Sequence, residues 1–218
     1  MSRIVCDSSS LISMSENCIL CVLKSMNKEF IIPPGVELEV VNNPIHSKRF
    51  QLKAIQLKSL IAGGAVKVVT DARLAEETAR IGGLANRLLE INRRPVKIMH
   101  EGEIESIALY KLTDADALMI DERTARHLIE SPEKVRDYMQ SRLGRRVDIN
   151  KKVLGEIQKE LKSVSVIRSS ELLAFAYENG TLAKCGMENA LEAGLYALKF
   201  AGCSITEDEI KEYVSMLS

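Results

Sequence analysis

Acidic side chains follow two apolar runs of the sequence in the same way. Asp7 comes directly after residues 3–6, and Asp121, with Glu122 beside it, comes directly after residues 117–120. In an open α/β sheet, ligands bind at the carboxyl ends of the parallel strands. Acids that follow two such strands would meet at one edge, where their oxygens suit a hard cation such as Mg²⁺. The alternative for either acid alone is that it caps the helix that follows.

Two further acidic segments extend this pattern. Glu101, Glu103 and Glu105 alternate at the start of a predicted helix, and Glu39 lies near the end of a short helix that Pro33-Pro34 begins. The helix dipole favours acids in a first turn, and a solvated helix face is the alternative for Glu39. Carboxylates gathered at one strand edge repel each other unless a cation lies among them. A divalent metal would relieve that repulsion, activate a water and stabilise the oxygens of a phosphodiester during displacement.

The elements that must position these acids are short apolar strands alternating with helices. Five runs predict buried strands: residues 3–6, 30–32, 65–69, 117–120 and 164–167. This alternation predicts an α/β fold with a mostly parallel, doubly wound sheet. The polar, helical segment near residues 131–162 is predicted to be an insertion before the last strand.

The chain from about residue 184 predicts two packed helices. Their apolar positions Leu191, Leu195 and Leu198 either join two copies of the chain or cover the sheet.

Composition limits the classes of function. The chain has 218 residues with 30 basic and 30 acidic side chains, and 46% of its residues are hydrophobic, which is typical of a globular protein and not of a disordered or fibrous one. The net charge of zero excludes a broadly basic nucleic-acid-binding protein. The aromatic share of 4% argues against a platform of stacked aromatic rings. No apolar run approaches the length of a membrane span, and the five scattered cysteines predict reduced thiols in a cytoplasm.

The zero net charge is a sum of opposed blocks. Residues 101–122 contain seven acids and one lysine, whereas residues 123–152 contain nine basic and four acidic side chains. Residues 84–100 are also basic, with four cations against one acid. An acidic metal pocket beside basic surfaces for a phosphate backbone would give this pattern, and so would solvated helix faces.

Four segments resemble, in order, the motifs of PIN-domain ribonucleases. They are Asp7-Ser8-Ser9-Ser10-Leu11-Ile12, Pro33-Pro34-Gly35-Val36-Glu37-Leu38-Glu39-Val40, Gly102-Glu103-Ile104-Glu105-Ser106-Ile107-Ala108-Leu109, and residues 115–126, which contain Asp116, Asp121 and Glu122. Residues 168–180 are similar to the last strand and helix of a prokaryotic PIN subgroup. The resemblance covers roughly residues 3–182, and it implies a nuclease domain at 1–182 followed by a helical extension at 183–218.

The resemblance implies a three-layer α/β/α sandwich, Mg²⁺ or Mn²⁺ at a carboxylate cluster, and RNA cleavage, more often endonucleolytic. In the family pattern Asp7, Glu103 and Asp121 would bind the metal, Glu39 would complete the pocket or orient the attacking water, and Ser9 would hydrogen-bond a ligand. The supporting acids would be Glu105, Asp116 and Glu122, and the RNA-binding cations would be Arg93, Arg94, Arg123 and Arg126. Many relatives are toxins of toxin–antitoxin pairs, so an antitoxin-like protein partner and a homo-oligomer are expected partners besides RNA.

Two other interpretations of the same residues stay open. The fourth motif of the family often carries paired aspartates or a threonine before its acid, whereas Asp121 is followed by Glu122 here. A PIN fold that binds RNA or assembles with other molecules, with weak or no catalysis, would tolerate that departure. A phosphoacceptor receiver domain is less favoured because residues 6–7 are Cys-Asp rather than paired acids, and no Gly-Lys-Ser/Thr phosphate loop is present.

Overall fold

The structure of the protein is a computed structural model that describes residues 2–217. Eight strands are formed by β1 Arg3–Cys6, β2 Glu29–Ile32, β3 Val66–Val68, β4 Leu89–Ile91, β5 Arg94–Pro95, β6 Ala117–Met119, β7 Asp148–Ile149 and β8 Val166–Ile167. The α-helices are α1 Ser8–Glu16, α2 Cys21–Ser25, α3 Pro34–Glu37, α4 Gln51–Ala62, α5 Leu74–Ala85, α6 Glu101–Leu112, α7 Arg123–Glu130, α8 Val135–Leu143, α9 Lys151–Leu161, α10 Ser169–Glu178, α11 Thr181–Lys184, α12 Leu191–Phe200 and α13 Glu207–Leu217. A π-helical turn at Leu38–Asn42 and 3₁₀ turns at Pro44–His46 and Pro132–Lys134 complete the backbone.

The central sheet contains five strands in the order β3-β2-β1-β6-β8, and every pairing in it is parallel. These are the five strands that the apolar runs predict, so the predicted parallel sheet is confirmed. The order places β1 in the middle, between β2 and β6, and both neighbours run in its direction. The residues that follow β1, β6 and β8 therefore meet at one edge of the sheet.

Side-chain alternation along the strands produces the three layers. In β1, Ile4 and Cys6 point into one hydrophobic core and Val5 points into the other. The next strand repeats the pattern, with Phe30 in the first core and Ile31 in the second. Because successive side chains of a strand face opposite sides of the sheet, both faces are apolar and both need a layer of helices. The predicted α/β/α sandwich is confirmed.

The insertion at residues 131–162 lies on the second core. It forms α8 and α9, whose Val135, Met139 and Ile157 are buried there. It also contains β7, which pairs with β4 in a small antiparallel sheet of order β5-β4-β7. The sequence predicts a purely helical segment here, and that detail is wrong because a strand of two residues has no periodicity to recognise.

The C-terminal helices pack on the first core. Leu191, Leu195 and Leu198 of α12 are buried in it. This apolar face covers the chain's own core, and it is therefore not a free surface for a second copy. None of the helices within residues 2–217 is long and apolar enough to cross a membrane.

Candidate active site

The carboxyl edge of the central sheet holds two buried aspartates. Asp7 follows β1 and Asp121 follows β6, and the pairing of these neighbouring strands continues when the Asp7 amide donates to the Met119 carbonyl at 2.9 Å. The relative exposure of the two residues is only 0% and 1%. Parallel pairing of two short apolar strands therefore brings together the two acids that the sequence singled out.

Ser9 connects these two acids. The Ser9 amide and hydroxyl donate to Asp7 Oδ2 at 3.0 and 2.7 Å, and the same hydroxyl accepts from the Asp121 amide at 3.1 Å. Asp7 Oδ1, in contrast, is buried and makes no hydrogen bond. A buried carboxylate oxygen without a donor costs free energy, because nothing replaces the water it has lost.

Glu103 brings a third buried carboxylate from the first turn of α6. Its Oε2 accepts from the His100 amide at 2.8 Å, which satisfies one backbone donor at the start of the helix. Burial, and then repulsion from Asp7, Glu122 and Glu39, raise the pKa of Glu103 to about 8. The pKa of Asp7 is raised to about 6, chiefly by burial and also by Glu39, although its hydrogen bonds from Ser9 oppose the rise. These acids repel each other, so their ionisation is costly.

Asp121 is held by a residue that was not among the predicted site residues. The Ser169 amide donates to Asp121 Oδ1 at 2.8 Å, and the Ser169 hydroxyl donates to Oδ2 at 2.6 Å. Ser169 begins α10 directly after β8, and β8 pairs with β6. The signal for it was present, since a serine after the fifth predicted strand must lie at the same edge as Asp121. Both carboxylate oxygens of Asp121 thus already have a protein partner.

Glu39 and Glu105 occupy matching positions against two glycines. The Glu39 carboxylate lies against Gly102, where an added Cβ would stand 2.7 Å from Oε1. The Gly35 amide donates to Glu105 Oε2 at 2.6 Å, and an added Cβ on Gly35 would collide with that oxygen. Each glycine therefore makes room for a carboxylate of the facing segment. The hydrogen bond between Glu105 and Gly35 connects α6 to the segment that contains Glu39. Glu39 itself lies beside the start of α6.

Glu122 caps a helix at the margin of the site. It is the N-cap of α7, and its Oε2 accepts from the Ala125 amide at 2.9 Å while Oε1 accepts from the Thr124 hydroxyl at 2.9 Å. Glu122 is partly exposed, whereas Asp121 is buried. Of the two adjacent acids, Asp121 is the buried one and its carboxylate accepts from Ser169, whereas Glu122 is the one whose charge helps to raise the pKa of Glu103.

Asp116 requires a correction. The family resemblance grouped it with the site, but it precedes β6, and its Oδ2 accepts from the Arg3 amide at 2.6 Å. Both residues lie at the amino ends of their strands, β6 and β1. The structure therefore places Asp116 at the opposite edge of the sheet, where it fixes the start of β1.

The predicted RNA-binding arginines separate into two groups. Arg93 and Arg94 are exposed around the turn between β4 and β5, and Arg123 is exposed at the start of α7. Arg126, in contrast, donates to Ser204 Oγ at 2.9 Å and pairs with Glu130, and its side chain is 18% exposed. The guanidinium of Arg126 is used inside the protein, so the structure does not bring it to an RNA-facing surface.

The donor set is suited to a hard divalent cation. Within residues 2–217, no three or more His, Cys, Asp and Glu side chains stand together as a preformed metal cage. Mg²⁺, however, keeps several waters and needs only one or two carboxylates. Asp7 offers an unpartnered oxygen, and Glu103 is the acid that Asp7 repels. These two residues fit such an ion, and the Asp121 backbone is linked to Asp7 through the Ser9 hydroxyl.

Fold and site together define a three-layer α/β protein with an acidic site at the carboxyl ends of its parallel strands. Residues 3–132 match the model of the DUF3368 family, which is described as a PIN domain. The match covers more than half of the chain, and the chain belongs to the PIN-domain family, whose members are generally nucleases. A comparison with curated proteins found no match.

Proposed function

We propose that the protein is a Mg²⁺- or Mn²⁺-dependent ribonuclease that cleaves RNA phosphodiester bonds endonucleolytically. The observation that supports this most strongly is the pair of Asp7 and Glu103. Both are buried, other carboxylates help to raise the pKa values of both, and Asp7 Oδ1 makes no hydrogen bond. A structure that only needed stability would pair or replace such groups, whereas a metal-binding site requires them.

The residues of the edge divide the proposed work between them. Asp7 and Glu103, with Asp121 as a third carboxylate, would hold the cation. When bound, the cation lowers the pKa of a water and neutralises charge on the phosphate. Ser9 keeps the Asp7 carboxylate oriented and links it to the Asp121 backbone. Glu39, lying against Gly102, would accept a proton from the attacking water. Ser169 fixes Asp121 through both of its carboxylate oxygens.

Cleavage of a mixed-sequence single-stranded RNA in Mn²⁺ tests this proposal. We expect Asp7→Asn and Asp121→Asn each to reduce the cleavage rate by roughly a hundredfold or more, about 2.7 kcal/mol in barrier height. Asp208→Asn, on the exposed face of α13, removes the same charge far along the chain and should cleave as the wild type does. Equal cleavage by all four proteins, or none by the wild type across varied RNAs, would contradict the proposal.

A second candidate function is RNA binding or assembly without turnover. The observation that favours it is Asp121, whose two oxygens are both occupied by Ser169, in an edge that lacks a preformed three-ligand metal cage within residues 2–217. Calorimetric titration with Mn²⁺ separates the two candidates. The nuclease should bind the ion in a manner that Asp7→Asn abolishes, whereas the binding module should bind RNA and give no heat with the ion.

The remaining expectations from the family resemblance stay predictions. These are an antitoxin-like protein partner, a homo-oligomer, and the division into a nuclease domain at 1–182 and an extension at 183–218. The cytoplasmic location, which the scattered cysteines predict, stays a prediction as well. The buried apolar face of α12 is one surface that a homo-oligomer would not use.

A further inference from the structure

The insertion brings a cation to the acidic edge. Arg142, in the last turn of α8, has its Nη1 4.0 Å from Glu122 Oε1, and Glu122 is the neighbour of the buried Asp121. The side chain of Arg142 is 59% exposed and that of Glu122 is 30% exposed. An exposed pair at this distance is weak and readily exchanged for another anion. Arg142 is therefore available to a ligand that approaches the acidic edge.

A second cation lies on the same side of the insertion. Arg123 is exposed in the first turn of α7, and its guanidinium carbon lies 5.9 Å from the centroid of the Tyr138 ring. Tyr138 and Arg142 are four residues apart on α8, so they share one face of that helix. The Tyr138 ring is in turn held by His127 of α7, with 5.3 Å between ring centroids. An aromatic ring thus supports Arg123 next to Arg142. We call the surface formed by Arg123, Tyr138 and Arg142 the α7–α8 ledge.

The chemistry of a polyanionic substrate requires such a surface. The acids at the carboxyl edge repel phosphate groups, so a nucleic acid reaches them only if nearby cations offset that repulsion. Arginine suits this task because its planar guanidinium donates to two phosphate oxygens at once. The ledge also lies in the most basic segment of the chain, residues 123–152 with nine cations against four acids.

We propose that the α7–α8 ledge binds the phosphate backbone of single-stranded RNA beside the acidic edge. This inference rests on the proposed ribonuclease function and adds to it the surface that delivers the substrate. It assigns a role to the insertion, which the PIN-domain match over residues 3–132 does not include beyond its first residues. Because arginine and phosphate dominate the interaction, the binding is insensitive to base sequence and weakens as salt rises.

The ledge is tested by binding and not by cleavage. A fluorescently labelled single-stranded RNA of mixed sequence is titrated with the full-length protein in EDTA, at several salt concentrations, and followed by fluorescence anisotropy. We expect the double variant Arg123→Gln/Arg142→Gln to bind on the order of tenfold more weakly at low salt, with a salt slope smaller by about 0.7 for each phosphate that the protein no longer neutralises. Arg142→Lys keeps the charge and should recover most of the affinity that Arg142→Gln loses.

Arg136→Gln is the matched control, since it removes the same charge from another face of α8. Arg136 pairs with Asp137 and lines a separate surface cavity with Gln140 and Gly144. It should leave both affinity and salt slope unchanged. Equal binding by wild type and the double variant, an equal loss in Arg136→Gln, or no binding by the wild type at low salt would each overturn the proposal. If cleavage is absent but the ledge variants lose affinity, the ribonuclease proposal fails and the ledge stands.

Discussion

The two ends of the central sheet treat acidic side chains in opposite ways. At the amino edge, Glu29 accepts from Arg3 Nε at 2.9 Å and from Lys67 Nζ at 2.9 Å, and these bonds hold the pKa of Glu29 below its ordinary value. At the carboxyl edge, Asp7 and Glu103 are buried, and burial together with the charges of other carboxylates raises their pKa values to about 6 and about 8. The same sheet thus carries an acid whose ion pairs stabilise the fold and acids whose ionisation destabilises it.

The difference between the two edges indicates that the acids at the carboxyl edge do not serve the stability of the fold. At the amino edge, the acid Glu29 is paired with the cations Arg3 and Lys67. At the carboxyl edge, the charges that raise the pKa of Glu103 are other carboxylates. Clusters of groups with raised pKa values are typical of functional sites. The free energy that they cost is offset by the stability of the rest of the protein. A bound divalent cation would supply the positive charge that offsets the repulsion between Asp7 and Glu103.

Removal of one charge at the carboxyl edge should separate function from stability most sharply. Glu103→Gln keeps the size of the side chain and its acceptor for the His100 amide but removes the buried charge. We expect RNA cleavage in Mn²⁺ to fall by roughly a hundredfold or more, while the metal-free protein at pH 9 gains on the order of a few kcal/mol in free energy of unfolding. Urea denaturation in EDTA measures the second effect, with Glu192→Gln on the exposed start of α12 as the control. A less stable Glu103→Gln protein at pH 9 would contradict this account of the edge.

The pH profile of the wild-type protein is the next largest effect. The raised pKa values mean that the folded state binds protons more tightly than the unfolded state does. The contribution of Asp7 and Glu103 to stability in EDTA should therefore be most favourable below their ordinary pKa values. It should fall as pH rises, and the fall should end once pH has passed about 6 for Asp7 and about 8 for Glu103. Mn²⁺ binds the ionised carboxylates, so it should restore stability mainly at high pH, by about 2.7 kcal/mol at a hundredfold excess over its dissociation constant. Thermal denaturation across this range measures both trends, and a metal effect that is larger at pH 5 than at pH 9 would refute the assignment.

The sequence predicts much of this edge, and the reason is local. An acid that directly follows an apolar strand of a parallel sheet must lie at the carboxyl edge. The positions of Asp7 and Asp121 can therefore be predicted from the apolar residues just before them. Asp116 was misassigned although the same logic applied, because an acid that precedes a strand lies at the amino edge. Ser169 follows the fifth predicted strand, so its place at the carboxyl edge could be predicted. Its hydrogen bonds to Asp121 could not, because they depend on the pairing of β8 with β6, which joins residues far apart in the chain.

Other features lie beyond any local pattern. The exposed Arg123 and the internally bonded Arg126 are three residues apart on one helix, and only the position of Ser204 decides that Arg126 is used within the protein. The small sheet of β4, β5 and β7 is built from strands of two or three residues, too short to show alternation. The pairing of β4 with β7 joins residues that lie far apart in the chain, so tertiary packing and not local sequence determines it.

Ser169 offers a smaller test of how the carboxyl edge is organised. Ser169→Ala removes the hydroxyl that donates to Asp121 Oδ2 but keeps the amide that donates to Oδ1. Loss of a residue that orients a metal-site carboxylate typically reduces metal affinity or activity by about 10- to 100-fold. We expect cleavage to fall within that range and the Mn²⁺ concentration for half-maximal cleavage to rise. Ser170→Ala alters the adjacent buried serine, whose hydroxyl meets Cys203 Sγ at 3.6 Å, and should leave that concentration unchanged. A matching shift in both variants would mean that Ser169 acts only through packing.

The amino edge provides the smallest effect and the opposite sign. Glu29→Gln weakens the pairs with Arg3 and Lys67, whose side chains are 40% and 58% exposed, so the loss in free energy of unfolding at pH 7 should be at most about 1 kcal/mol. Because the pKa of Glu29 is lowered in the folded state, its contribution is present above the ordinary pKa of a glutamate and disappears as pH falls. Urea denaturation should therefore show variant and wild type converging as pH falls below the ordinary pKa of a glutamate, and cleavage of RNA should be equal in the two proteins. If Glu29→Gln instead became more stable at high pH, as is expected for Glu103→Gln, the proposed difference between the two edges would be wrong.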